Sequence, residues 1–223
     1  MSSEAQTHRG QPLLQAGAAL EEADAAVVML HGRGADAGDI LALSEAFGRP
    51  ALAYLAPQAA NNTWYPQPFM APVADNEPWR TSALELVADV VGMLITHDIP
   101  PAKTAILGFS QGACLALEFA ARHPDRYGAI VALTGGLIGE SIAPGDYAGS
   151  LERTPVFIGS SDVDPYIPIE RVKESVAIME GLDAAVVERI YPGMGHSINE
   201  DEVSHIQAML AAMASPREPG ATA

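Results

Sequence analysis

Short continuous runs of apolar residues alternate along this chain with longer stretches whose apolar positions recur at helical spacing. Six of the short runs are predicted to be strands: 25–30, 51–56, 104–109, 129–134, 155–159 and 184–191. Most of them are apolar at every position. Such runs are typical of strands in a parallel sheet that helices cover on both faces.

Helical patterns occupy the intervals between these runs, at 38–47, 82–97, 112–122, 168–181 and 200–214. Ser82 and Glu85 have the spacing of a capping box, which supports the second of these helices. Strands and helices that alternate at this rhythm predict an α/β fold of three layers, with a mostly parallel central sheet and right-handed crossovers. We expect one domain over 1–214 and a flexible tail over 215–223.

The charge balance of the chain is strongly acidic. Its 28 Asp and Glu residues against 12 Lys and Arg residues give a net charge of −16 at pH 7. A fold with this charge repels phosphate backbones, so we expect no nucleic-acid partner. Solubility is a sufficient explanation of the charge.

Features that bear on location favour the cytoplasm. Cys114 is the single cysteine of the sequence, so no internal disulfide forms, and a reducing compartment fits. The first ten residues, MSSEAQTHRG, lack the apolar segment of a secretory signal. No apolar run approaches the ~18–20 residues needed to span a bilayer. We expect a cytoplasmic protein without a membrane span.

Two segments between predicted elements, 57–80 and 135–154, are too long to be simple connectors. Long loops in a compact domain are usually functional. Their large apolar side chains are candidates for the wall of a substrate pocket, with packing of the loops onto the body of the fold as the alternative. These residues are Trp64, Tyr65, Phe69, Leu137 and Ile138.

The segment Gly108-Phe109-Ser110-Gln111-Gly112 fits the motif G-x-S-x-G at the junction of a predicted strand and a predicted helix. In that context the serine lies on a strained turn that projects its Oγ above the sheet, and the glycines remove Cβ atoms that would clash. The N-terminus of the next helix favours a developing negative charge. Ser110 is therefore a candidate nucleophile, with a chance pentapeptide at a turn as the alternative.

A base and an acid for Ser110 follow later in the chain. His196 lies in a glycine-bracketed loop, YPGMGH, after the last predicted strand. Asp162 and Asp164 both follow the strand at 155–159, and either carboxylate can orient an imidazole. The order Ser, acid, His is that of hydrolases with a nucleophile elbow. The other histidines are interpreted mostly as surface residues: His8, His31, His97, His123 and His205.

Two backbone N–H groups are candidates for an oxyanion hole. One belongs to Gln111, the residue after the nucleophile, and the other to Arg33 in the Gly-rich turn LHGRGADAGD. That turn lacks the G-x-G-x-x-G and GK[ST] patterns of nucleotide-binding loops. No candidate ligands show a recognised metal spacing, so we expect no metal and no other cofactor. Cys114 is interpreted as a small buried hydrophobic residue below the turn.

Six segments together resemble the phospholipase/carboxylesterase family of α/β-hydrolases: LHGRGAD, WYPQPF, GFSQGACLALEFAARHP, TGGLIG, DPYIP and YPGMGH. The resemblance implies an α/β-hydrolase fold, a nucleophile at Ser110 and a base at His196. It favours Asp164 over Asp162, because the family acid directly precedes Pro-x-[Val/Ile]-Pro, here PYIP. The family pattern has a leucine at the position of Arg33. A homodimer is the assembly that the resemblance implies.

These observations predict a serine carboxylesterase that hydrolyses short- to medium-chain esters through a Ser-His-Asp triad and an acyl-enzyme intermediate. The substrate is expected to be a small molecule, because the sequence shows no obvious lid domain for lipid aggregates. An acyl-thioesterase or a lysophospholipase-type hydrolase is the first alternative, since the same site cleaves thioesters. A catalytically inactive binding module of the same fold is the second.

Overall fold

The computed structural model describes residues 7–214, in which seven strands form one sheet. The strands are β1 Leu13–Gly17, β2 Ala26–Leu30, β3 Ala53–Pro57, β4 Thr104–Phe109, β5 Ala129–Leu133, β6 Pro155–Ser161 and β7 Ala185–Tyr191. Their order across the sheet is β1-β3-β2-β4-β5-β6-β7. β1 pairs with β3 in antiparallel orientation, and the other neighbours are parallel.

Helices cover both faces of this sheet, as the sequence predicts. They are α1 Ala37–Ala42, α2 Ser44–Phe47, α3 Trp79–Thr96, α4 Gln111–Arg122, α5 Ile169–Gly181 and α6 Glu200–Ala214. Helices α3, α4 and α5 supply the core on one face, while α1, α2 and α6 supply it on the other. The three-layer α/β fold with a mostly parallel sheet is therefore confirmed.

The interior strand β2 shows why the apolar runs are continuous. Val28 and Leu30 belong to the core on the α4 face, whereas Val27 and Met29 belong to the core on the opposite face. Every residue of this strand is buried, because successive side chains of a strand point to opposite sides of a sheet. The same arrangement in β4 buries the strand that leads to Ser110.

Several predicted boundaries were wrong for identifiable reasons. β1 was missed because it is an exposed edge strand with a weak apolar pattern. Helix α3 begins at Trp79 rather than at Ser82, so the predicted capping box does not form. Ser82 is buried inside the helix, where its Oγ accepts the N–H of His8 at 3.0 Å. The helix predicted over 38–47 is divided into α1 and α2 at Leu43.

The second long loop, 135–154, is fixed to the body by a buried carboxylate and an arginine. Glu118 of α4 is fully buried, and it accepts the Ile138 N–H at 3.2 Å and the Tyr147 hydroxyl at 3.3 Å. Arg171 of α5 donates to the carbonyls of Leu137 at 3.0 Å and Gly139 at 2.7 Å. This loop is therefore a packed part of the structure.

In the part of the chain that the structure describes, no helix has the length and apolar character needed to cross a bilayer. The predicted tail over 215–223 lies outside the described residues, and the single domain predicted over 1–214 stays a proposal.

Candidate active site

Ser110 lies on a sharp turn between β4 and α4. Its backbone has a φ of 55° and a ψ of −117°, a conformation that non-glycine residues rarely adopt. The turn is fixed by the Ser110 N–H, which donates to the Leu133 carbonyl at 2.9 Å. Such strain persists where the surrounding structure determines it, and it concentrates at functional sites.

The two glycines of the motif are required by close backbone packing. A Cβ atom at Gly108 would overlap the carbonyl group of Gly112, and one at Gly112 would overlap the carbonyl group of Leu30. The turn can be this tight only because both residues lack a side chain. The G-x-S-x-G pattern therefore has a steric cause in this fold.

His196 reaches Ser110 from the loop between β7 and α6. Its Nε2 lies 2.9 Å from the Ser110 Oγ. The loop is held to the end of β6, since the Gly193 N–H donates to Asp162 Oδ1 at 2.7 Å and the Gly195 N–H donates to the Ser161 Oγ at 3.0 Å. Both glycines have positive φ, of 69° and 75°, which places His196 at the close of a tight turn.

Asp164 is the carboxylate that contacts the imidazole. Its Oδ2 lies 2.7 Å from His196 Nδ1, and its Oδ1 accepts the N–H groups of Tyr166 at 2.8 Å and Ile167 at 3.1 Å. The side chain of Asp164 is fully buried, whereas that of His196 is 19% exposed. Asp162 supports the histidine loop instead. The structure thus brings Ser110, His196 and Asp164 into one chain of hydrogen bonds.

The Gln111 and Arg33 residues flank Ser110 on the wall of the same cavity. The Gln111 N–H belongs to the first turn of α4, where N–H groups have no acceptor within the helix. Arg33 follows β2, whose carboxyl end is adjacent to that of β4. Both backbones are therefore in the region where an oxyanion at Ser110 would form.

The side chains of these two residues meet at one carbonyl group, that of Tyr65. Gln111 Nε2 donates to this oxygen at 2.8 Å and Arg33 Nη2 at 2.9 Å, while the Thr63 hydroxyl donates at 3.1 Å. Gln111 Oε1 also accepts the Trp64 N–H at 2.9 Å. We call this arrangement the Tyr65 clamp. It joins the first long loop to both sides of the region around Ser110.

A cavity of about 600 Å³ opens beside Ser110, which is within the usual range for small-molecule sites. Of the five predicted pocket residues, Tyr65 and Phe69 line it. Trp64, Leu137 and Ile138 do not line this cavity; they are buried in the core. The wall also includes residues that sequence reasoning missed: Ala35, Pro66, Pro68, Phe109, Tyr166 and Ile167. Phe109 is next to the nucleophile in the sequence, and Tyr166 and Ile167 lie shortly after the acid. This proximity was the signal that could have identified them as pocket residues.

Two of the five histidines interpreted as surface residues, His8 and His31, are fully buried. His8 Nδ1 accepts the Ala60 N–H at 3.0 Å, and His31 Nε2 accepts the Ala59 N–H at 3.1 Å. Both rings lie against Trp64, at centroid distances of 5.6 and 5.0 Å. Burial lowers the pKa of both imidazoles, which favours the neutral form that can accept these bonds. The interpretation of His8 and His31 as surface residues was wrong, because their contacts join segments that are distant in the sequence and local patterns do not show such contacts.

Cys114 lies one turn into α4, below Ser110, and is buried. Burial raises the pKa of its thiol to about 11, so the thiolate needed for nucleophilic attack is scarce at neutral pH. Burial also raises the pKa of the neighbouring Tyr65 hydroxyl. Within residues 7–214, no group of three or more His, Cys, Asp or Glu side chains is arranged to hold a metal ion.

The sheet order, the turn at Ser110 and its position at the carboxyl end of β4 define an α/β-hydrolase. The chain belongs to the phospholipase/carboxylesterase family, because the model of that family matches residues 16–214. The chain is thus a member of a hydrolase family, and curated proteins that it resembles are named thioesterases or carboxylesterases.

A solved phospholipase/carboxylesterase from Dyadobacter fermentans is 45% identical to this chain and superposes with a TM-score of 0.87. The match covers 91% of this chain and 97% of that one. Among curated proteins, acyl-protein thioesterase 1 of Gibberella zeae is 30% identical over 55% of this chain, and that of Saccharomyces cerevisiae is 32% identical over 58%. The chain spans only 53% and 58% of the lengths of these two thioesterases.

Proposed function

We propose that this protein is a serine carboxylesterase that hydrolyses short- to medium-chain carboxylic esters. The observation that carries the proposal is the chain of hydrogen bonds from Ser110 Oγ through His196 to Asp164, with distances of 2.9 and 2.7 Å. Such a chain on a nucleophile elbow has the geometry of a triad that activates a serine hydroxyl. The apolar cavity beside it suits the acyl or alcohol part of a small ester.

In the first half of the reaction, Ser110 Oγ attacks the ester carbonyl and His196 Nε2 takes the hydroxyl proton. Asp164 holds the imidazole in the required tautomer and stabilises the cation that forms. The N–H groups of Gln111 and Arg33 bind the oxyanion of the tetrahedral intermediate. The alcohol then leaves with the proton from His196, and the acyl group remains on Ser110.

In the second half, His196 takes a proton from water as the water oxygen attacks the acyl carbon. The new tetrahedral intermediate collapses, Ser110 recovers its proton from His196, and the carboxylic acid is released. No step in this scheme needs a metal or a cofactor.

An acyl-thioesterase is the second candidate, and it is favoured by one specific finding. The two curated relatives described above are named acyl-protein thioesterases. The Ser110 site would cleave a thioester by the same steps, with a thiol as the leaving group. The two candidates therefore differ in substrate preference and not in mechanism.

The test is the hydrolysis of p-nitrophenyl esters from acetate to palmitate, together with acyl-CoA thioesters of the same chain lengths. Ser110→Ala is the matched control, and it should lower kcat by about 10⁶-fold, as is typical of triad serines. An optimum at short to medium acyl esters is expected. A higher kcat/KM for long-chain thioesters would favour the second candidate, and equal inertness of both proteins would favour a catalytically inactive binding module.

The expected homodimer stays a prediction. Light scattering coupled to size-exclusion chromatography would decide between a dimer and a monomer of 23.3 kDa.

A further inference from the structure

The guanidinium group of Arg33 is fixed on the wall of the cavity by three carbonyl oxygens. Its Nη1 donates to Pro66 O at 2.8 Å, and its Nη2 donates to Tyr65 O at 2.9 Å and to Gln67 O at 2.7 Å. A guanidinium has five N–H donors in a rigid plane, so these bonds hold its position and leave further donors. The guanidinium is therefore held in place before a substrate binds, so binding costs little further side-chain entropy.

The charge of this guanidinium is not neutralised by its partners, because carbonyl groups carry no net charge. The Arg33 side chain is exposed, and among the described residues no ion pair involves it, in contrast to three other arginines of the fold. Arg80 and Arg122 pair with Glu118, and Arg171 pairs with Glu174. The Arg33 guanidinium therefore presents a positive charge without a carboxylate partner.

The described residues that line the cavity include no aspartate and no glutamate. Among these described residues, Arg33 and His196 are the ionisable bases, and the wall is otherwise mostly apolar, with Phe109, Tyr166 and Ile167 nearby. A cation beside low-dielectric walls attracts an anion more strongly than the same cation in open water. In a chain with a net charge of −16, this local field opposes the field of the whole molecule.

We propose that Arg33 is a specificity-determining residue that selects esters bearing a carboxylate near the scissile carbonyl. This inference rests on the proposed esterase function and names the substrate class of the same site. The guanidinium would receive the carboxylate through charge-assisted hydrogen bonds, while the backbone N–H of Arg33 serves the oxyanion. A neutral ester of equal size gains no such contact.

The experiment compares pairs of substrates that are similar in size and differ in charge. On the acyl side the pair is p-nitrophenyl pentanoate and mono-p-nitrophenyl glutarate, in which a carboxylate replaces the terminal methyl group. On the alcohol side the pair is methyl 3-acetoxybenzoate and 3-acetoxybenzoate, in which a free carboxylate replaces the methyl ester. The acetyl ester is the bond whose hydrolysis is followed in both. The rate with Ser110→Ala supplies the background, because the glutarate ester also hydrolyses spontaneously. The readout is the ratio of kcat/KM for the anionic ester to that for the neutral ester.

Four variants separate the charge of Arg33 from its part in the Tyr65 clamp. Arg33→Leu removes both, and Arg33→Lys keeps the charge but loses the planar set of donors. Thr63→Val removes an uncharged donor from the same carbonyl. Arg153→Leu changes the net charge equally at a residue before β6, at the opposite end of the strands from Ser110.

We expect Arg33→Leu to lower the ratio by roughly three- to tenfold in at least one substrate pair, with Arg33→Lys nearer to the wild type. Thr63→Val and Arg153→Leu should leave the ratio unchanged. For the wild type, kcat/KM of the anionic ester should fall between about 0.02 M and about 0.5 M salt, because added ions screen the attraction.

Two results would overturn the inference. If both pairs are hydrolysed and Arg33→Leu changes the anionic and neutral rates equally, Arg33 acts only as a clamp, although the esterase function stands. If the wild type hydrolyses neither member of either pair above the Ser110→Ala background, the esterase function fails, and the inference fails with it.

Discussion

At the scale of single residues, the two aspartates after β6 have different tasks. Asp164 contacts His196 Nδ1, whereas Asp162 accepts the N–H of Gly193 in the same histidine loop. A spacing of two residues separates the carboxylate that orients the imidazole from the carboxylate that anchors the histidine loop. The bonds from the Tyr166 and Ile167 N–H groups hold the first of these in place.

Asparagine substitutions at the two positions provide a matched test of this difference. Asp164→Asn should lower kcat by about 10⁴-fold, because an amide at that position favours the wrong tautomer of the imidazole. Asp162→Asn keeps an oxygen that can accept the Gly193 N–H, so kcat should stay within about tenfold of the wild type. Steady-state kinetics on one p-nitrophenyl ester measure both. Losses of equal size would contradict the assignment of the acid.

The residues alone could not choose between these aspartates. Both lie in one loop at distances from β6 that suit a catalytic acid, and the deciding contact joins positions 32 residues apart. Ser110 and His196 could be singled out because glycines mark their turns. The tasks of the Arg33 and Gln111 side chains could not be predicted, since both depend on where the Tyr65 carbonyl lies.

At the scale of elements, the unit of β4, the turn and α4 is the part that sequence patterns predict best. Its strand was predicted with the observed bounds and its helix within one residue, because all of the signals are local: an apolar run, two glycines and a helical stretch. β1 and the start of α3 were missed for the opposite reason. β1 is an exposed edge strand, and the Ser82 hydroxyl accepts the N–H of His8, 74 residues away.

Two glycine-to-alanine substitutions test the steric account of the turn. Gly112→Ala places a Cβ atom against the Leu30 carbonyl, and it should destabilise the fold by about 3 kcal/mol or more. Gly92 lies within α3 with open space around it, so Gly92→Ala should stabilise by about 0.5–1 kcal/mol.

Urea unfolding of the wild type and both variants measures these changes in the free energy of unfolding. Opposite signs at the two positions are expected. A Gly112→Ala protein that unfolds at the wild-type urea concentration would show that the turn has room for a side chain, against the packing described here.

At the scale of the whole molecule, buried ionisable groups lower the free energy of unfolding at both ends of the pH range. Burial lowers the pKa of His8 and His31, so the unfolded chain binds protons more readily than the folded one near the ordinary value of 6.5. Their contribution to stability is present above that pH and is lost as the pH falls below it. Both histidines accept N–H groups of the first long loop, so protonation of either accepting nitrogen would break a bond to that loop.

Glu202 sets the limit on the alkaline side. It is fully buried at the start of α6, where its carboxylate accepts the Asn199 N–H at 2.9 Å and its own N–H donates to Asn199 Oδ1 at 3.0 Å. Burial raises the pKa of this carboxyl from 4.5 to about 7. The folded chain thus holds this proton more tightly than the unfolded chain, and the resulting stability is lost as the pH rises through about 7.

Glu202→Gln isolates this effect, because glutamine keeps the reciprocal cap with Asn199 but cannot ionise. Between pH 6 and pH 8.5 the wild type should lose about 1 kcal/mol relative to the variant, after allowance for partial screening by solvent. In a domain of this size that equals a difference of about 2–4 °C in Tm. Thermal unfolding across this range measures it, with the exposed Glu200 as the control position. If the wild-type and Glu202→Gln curves stay parallel from pH 6 to pH 8.5, Glu202 does not titrate there, and the alkaline loss of stability comes from the acidic surface of the chain.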